Sequence, residues 1–110
     1  MANYRTVEYY DKHLTIAENR LRRVKDLFLK VEAEYESAYA KMVSDLVEEN
    51  QGNAPLKLYE FRAKKARAEE GNPLHEIFTM YLRVDRLYRK AETWHKRLTR
   101  LYFDSKGGGR

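Results

Sequence analysis

The stretch "VEYYDKHLTIAENRLRRVKDLFLKVEAEYESAYAKM", residues 7–42, decides the fold. Its apolar side chains fall at Val7, Tyr10, Leu14, Ala17, Leu21, Val24, Phe28, Val31, Tyr35, Ala38 and Met42, in steps of three and four throughout. That alternation places them on one face of an α-helix as a heptad seam. The seam continues through Leu46 and stops at "EENQGNAP", so the spacing predicts a first helix over about 6–50. Thr6 suits its N-cap, Glu8 and Asp11 suit the positive end of its dipole, and Gly52 suits its C-terminal cap.

After Asn53 and Ala54, a proline opens a second helix over about 55–70, with a stripe of Leu56, Tyr59, Ala63 and Ala66. "GNP", residues 71–73, closes that helix with Gly71 and starts a third with Asn72 as N-cap and Pro73 in the first turn. The third helix, over about 73–104, repeats the seam at Ile77, Tyr81, Val84, Tyr88, Ala91, His95, Leu98 and Tyr102. Met80, Leu87, Trp94 and Leu101 widen it at seven-residue intervals, to the width typical of a bundle.

At 1.5 Å per residue the first helix spans roughly 65 Å and the other two about 22 and 46 Å. The fold class is therefore all-α: a long antiparallel helical hairpin with a broken returning arm, or a three-helix bundle, with heptad-like seams. Residues 1–106 read as a single helical domain and 107–110 as a flexible glycine-rich tail. A two-helix hairpin leaves part of each apolar face uncovered, which predicts a homo-oligomer or a place in a protein complex.

Composition excludes several functional classes. The 110 residues include 35% charged and 13% aromatic side chains, too aromatic for a disordered chain. With no cysteine, neither a disulfide framework nor a thiolate metal site is available, and the expected location is cytoplasmic. The N-terminal "MANYRTVEYYDKH" lacks the apolar segment of a signal peptide, and no run is long enough for a membrane span, so no membrane partner is expected. His13, His75 and His95 are too scattered for a local zinc motif, and "HEIFT" fails the second histidine of HExxH. "ETWH", Glu92 to His95, has the Glu-x-x-His spacing of di-iron bundles, but such sites require a second copy and further inward glutamates. A hydrogen-bonded core histidine is the plainer reading of His95. No glycine-rich phosphate loop or nucleophile elbow is present, so no enzyme, cofactor or small-molecule substrate is expected.

Charge carries the functional expectation. Residues 1–55 hold eight Lys and Arg against ten Asp and Glu, a balance of −2, whereas residues 56–110 hold fourteen against seven, a balance of +7. In "RVDRLYRKAETWHKRLTR", residues 83–100, the third helix turns Arg83, Arg86, Arg89, Lys90, Lys96, Arg97 and Arg100 away from the seam, with Asp85 and Glu92 on one flank. Five of those seven cations are arginine, whose forked guanidinium matches phosphate. An antiparallel return lays them beside "RLRRVK", residues 20–25, with Arg20, Arg22 and Arg23. Lys57, Arg62, Lys64, Lys65 and Arg67 of the second helix extend the ridge if helices two and three form one arm, although the acids Glu32 to Glu49 partly neutralise them.

Two segments of like charge at one end point to a polyanion, through backbone contacts without sequence specificity. DNA and RNA, single and double strand, all remain open. Exposed aromatics such as Tyr4, Tyr9 and Phe103 are candidates to stack on bases, whereas Tyr10, Tyr35, Tyr81, Tyr88 and Tyr102 sit at seam spacing and belong to a core or interface. The alternative is a protein-interaction or assembly role in which the basic ridge meets an acidic protein surface. A charge run on a helix is also commonly just a solvated face.

Overall fold

The structure, a computed structural model, describes residues 6–107. It is all-α: helix α1 runs Val7–Glu49, α2 Leu56–Ala66 and α3 Pro73–Lys106, with no strand among the described residues. Between Val7 and Glu49, and again from Leu74 to Lys106, the sequence has no glycine or proline to interrupt the backbone ladder. Every seam position of α1 from Val7 to Leu46 is buried or half-buried.

Local chemistry sets the ends. Thr6 caps α1 as expected, its hydroxyl accepting from the Tyr9 N–H at 3.2 Å. At the other end the Gly52 N–H reaches the Val47 carbonyl at 2.9 Å and the Gln51 N–H reaches that of Glu48 at 3.1 Å, the paired bonds of a Schellman motif. The left-handed position that normally takes glycine is here Gln51, at φ 54°, one residue before the Gly52 expected to fill it. Asn72 caps α3, its side-chain oxygen accepting from the Leu74 N–H at 2.9 Å, and α3 continues two residues past the expected 104.

The second helix departs further from expectation. It starts at Leu56, with Pro55 as an N-cap whose side chain makes no capping bond, and ends at Ala66 instead of about 70. Beyond Ala66 the chain tightens into three-residue turns, Ala68 N–H to Lys65 O and Glu69 N–H to Ala66 O, both 3.1 Å. The freed Arg67 carbonyl accepts from His75 Nδ1 at 2.8 Å, which satisfies it without another helical turn. Gly71, expected as the cap, lies four residues beyond Arg67 at φ 86° and reverses the chain toward Asn72.

The chain forms two compact units, residues 1–27 with 85–110 and residues 28–84, and both long helices contribute to each. In the first, α1 and α3 pack antiparallel as a two-helix pair around Tyr10, Ala17 and Leu98, with Leu14, Trp94, Leu101 and Tyr102 against them. Ala17 is fully buried and Ala91 nearly so, and the small side chains admit close approach of the helices. In the second unit all three helices meet. Tyr35 of α1 stacks on Tyr81 of α3 (centroids 5.1 Å, 13°), lies 5.1 Å from Phe78, and its hydroxyl accepts from Arg67 at the end of α2. Because the C-cap of α2 and the start of α3 converge on the same tyrosine, and the Tyr39 hydroxyl of α1 donates to the Glu60 carbonyl of α2 at 3.4 Å, this unit is a three-helix arrangement. Tyr59 anchors α2 there: it is 1% exposed, and its hydroxyl accepts from the Ala54 N–H at 3.0 Å.

Of the tail expected over 107–110, Gly107 bonds through its N–H to the Phe103 carbonyl at 3.0 Å. Residues 108–110 and Tyr4 lie outside the described residues.

Candidate nucleic-acid interface

Positive charge is divided as unevenly between the two units as between the two halves of the sequence, but with different members. Residues 1–27 and 85–110 hold fourteen Lys and Arg against seven Asp and Glu, a balance of +7; residues 28–84 hold eight against ten, a balance of −2. Folding thus brings Arg20, Arg22 and Arg23 into the basic unit with Arg86, Arg89, Lys90, Lys96, Arg97 and Arg100. It places Lys57, Arg62, Lys64, Lys65, Arg67 and Arg83 in the acidic one.

Within the first unit the antiparallel register sets Glu18 beside His95 (3.7 Å) and Arg20 over Trp94 (Cζ 5.1 Å from the ring centroid). Residues 20–24 therefore run beside residues 87–94, within the stretch that an antiparallel return of the chain predicts. Arg86, Arg89, Lys90, Lys96, Arg97 and Arg100 are all exposed along the outer side of α3. Among the described residues one of these cations has a carboxylate within ion-pair distance: Arg89 Nε meets Asp85 Oδ2 at 3.2 Å. That arginine side chain is 73% exposed, so the pair is a weak tether and leaves the guanidinium accessible. Arg22 is held by Asn19, one turn away on its own helix.

The surface between and beside the helices is concave. A depression of about 480 Å³ is lined by Arg20, Val24, Leu87, Lys90, Ala91 and Trp94. It shares Lys90 and Trp94 with a second of about 380 Å³, which adds Arg89, Thr93 and Arg97. It shares Arg20 and Val24 with a third of about 310 Å³, which adds Ile16, Asn19 and Arg23. Among the described residues five cations, Arg20, Arg23, Arg89, Lys90 and Arg97, border this strip, and no carboxylate does. Its floor is apolar, with Leu87 52% and Ile16 42% exposed. Such a surface attracts an anion that also carries a flat or apolar part.

Three expected contributors take other places. Arg67 is half-buried, donates to the Tyr35 hydroxyl at 2.5 Å and lies over the Phe78 ring at 4.3 Å, so it serves the packing of the second unit. Lys64 and Lys65 are exposed in that same unit, whose net charge is negative. Conversely, composition passed over Trp94. A tryptophan on the edge of the seam, four residues after Lys90 and three before Arg97, lies one helical turn from two cations, and that spacing was the available signal.

His95 faces the Glu18 carboxylate, and among the described residues no group of three or more His, Asp or Glu side chains is placed to hold a metal ion. Nor, among them, is any helix long and apolar enough to cross a membrane. Comparison with protein-family models, curated proteins and solved structures finds no match for this chain.

Proposed function

We propose that this is a non-catalytic nucleic-acid-binding protein, or a small subunit of a nucleic-acid-handling complex. It grips the phosphate backbone with the outer face of α3 from Arg86 to Arg100, joined by Arg20 and Arg23 of α1. The observation that carries the reading is the concave strip bordered, among the described residues, by five cations and by no carboxylate. Arg86 to Arg100 covers about 21 Å along the helix, enough to follow several phosphates. Among the described residues, Arg89 alone of these cations has an intramolecular ion pair to loosen before binding, which keeps the cost of association low.

The test is binding to single- and double-stranded DNA and RNA at two salt concentrations. Wild-type affinity should fall steeply with salt, and replacing Arg86, Lys90 and Arg97 together by Glu should abolish it. Affinity indifferent to salt would end the proposal.

A second reading draws on the exposed floor of the same strip. Ile16 and Leu87 beside the cations also suit an acidic amphipathic segment of a protein partner, or self-association that covers the two-helix pair. Pull-down with and without nuclease separates a protein partner from a nucleic-acid bridge, and light scattering on a gel-filtration column reads the oligomer.

A further inference from the structure

We infer that Trp94 is a stacking platform for an unpaired base, with Arg89, Lys90 and Arg97 holding the phosphates on either side of it, so that the protein takes single-stranded nucleic acid in preference to duplex. This rests on the nucleic-acid reading above and narrows it to one class of ligand.

The second depression is built from α3 alone: Arg89, Lys90, Thr93, Trp94 and Arg97 stand at i, i+1, i+4, i+5 and i+8. One ring forms its aromatic wall and three cations surround it. A partner helix would need anchor pockets repeating at i, i+3, i+4 and i+7 along a groove. A hollow of about 380 Å³ on one helix offers a place for a single flat group with charge on both sides.

The indole is held in place, since it packs on the Tyr10–Ala17–Leu98 core and carries the Arg20 guanidinium over its ring at 5.1 Å. A fixed ring that already holds one planar cation loses little entropy when it stacks on a base. The other polar group at the wall, the Thr93 hydroxyl, is committed to the Arg89 carbonyl at 2.9 Å. With that group engaged, the indole N–H and the ends of long, flexible cations are what the hollow offers beside its aromatic face, too few fixed groups to read a base edge. Stacking of this kind tolerates any base. A duplex keeps its bases stacked inside and can meet only the cations.

Trp94 is the single tryptophan of the chain, so its fluorescence reports on this position alone. The experiment titrates the full-length protein with an oligothymidylate and with a DNA duplex of matched length. It follows both tryptophan emission and the anisotropy of labelled nucleic acid. Single strand should quench Trp94, and duplex should bind without quenching. Trp94→Leu should weaken single-strand binding about 5- to 150-fold, corresponding to about 1–3 kcal/mol for one stacked base, and should weaken duplex binding clearly less. Trp94→Phe, which keeps an aromatic face, should recover most of the loss, and helical circular dichroism of both variants checks the fold. If Trp94→Leu unfolds the protein, wild-type quenching and the Phe variant decide.

Single-strand binding without quenching, or an equal loss on both forms in Trp94→Leu, would overturn the stacking inference and leave the backbone-binding proposal standing. Failure of both nucleic acids to bind would remove both. An acidic amphipathic peptide that shifts Trp94 emission and outcompetes the oligothymidylate would overturn the inference in favour of a protein ligand.

Discussion

Arg67 separates packing from binding, because by sequence it belongs to the basic ridge and by position it is half-buried against the aromatic cluster of Tyr35 and Phe78. Its Nη1 donates to the Tyr35 hydroxyl at 2.5 Å and its Cζ lies 4.3 Å from the Phe78 ring centroid, while Tyr35 itself stacks on Tyr81. Replacing it with Ala removes a hydrogen bond from a charged donor, worth about 1.5–3 kcal/mol, and a cation–π contact worth about 0.5–1 kcal/mol at a partly exposed site. The two share one side chain and are not additive, and partial exposure favours the lower ends, so the expected loss is about 2 kcal/mol. For a chain of this size that shifts Tm by about 8–16 °C, out of a total stability of about 5–15 kcal/mol. Urea denaturation followed by circular dichroism measures the loss, and anisotropy with labelled oligonucleotide measures affinity below the transition. Arg67→Ala should lower the urea midpoint and leave affinity unchanged, whereas Arg86→Ala should do the reverse. An Arg67→Ala protein as stable as the wild type with weakened binding would refute the division between the two arginines.

Further outcomes follow from single positions. Gln51→Gly should raise stability by about 0.5–1 kcal/mol, since glycine accepts the left-handed φ of 54° without a Cβ clash; an unchanged or lower urea midpoint would contradict this. Tyr59→Phe should cost about 1 kcal/mol by orphaning the Ala54 N–H, and Tyr59→Ala about 3–5 kcal/mol by emptying the site that docks α2. Hydrogen exchange across Leu56–Ala66 locates that loss. Tyr39 should ionise at higher pH than an ordinary phenol, because partial burial, then the charge of Glu60 and the neighbouring Tyr35, outweigh the opposing Arg67. The protonated phenol is thus favoured in the folded state: its stabilising contribution is full below pH about 10 and is lost as pH rises through the raised value. Comparing alkaline unfolding of the wild type with Tyr39→Phe measures that contribution, and a phenol titrating at or below the usual value would contradict it.

Periodicity determined that the chain is all-α, because a seam repeated without interruption over forty residues has no other way to bury itself, and the glycine and proline breaks at 52–55 and 71–73 made three helices of it. It also determined two caps, Thr6 and Asn72, since capping is a bond between neighbours in sequence. Tertiary structure decided where α2 ends, because the Arg67 carbonyl is satisfied by a histidine eight residues on, a contact no local rule contains. It decided likewise which cations are available: Arg67 and Arg86 are alike as letters, and only the packing of Tyr35 and Phe78 around one of them turns it from ligand-binding candidate to structural support. Trp94 shows the same limit from the other side. Its place on the seam's edge was legible, but the cations around it come from two helices whose register is set by how Ala17, Ala91 and Leu98 pack. Charge and period are properties of the chain read along its length, whereas a binding surface is a property of side chains brought together from distant parts of it.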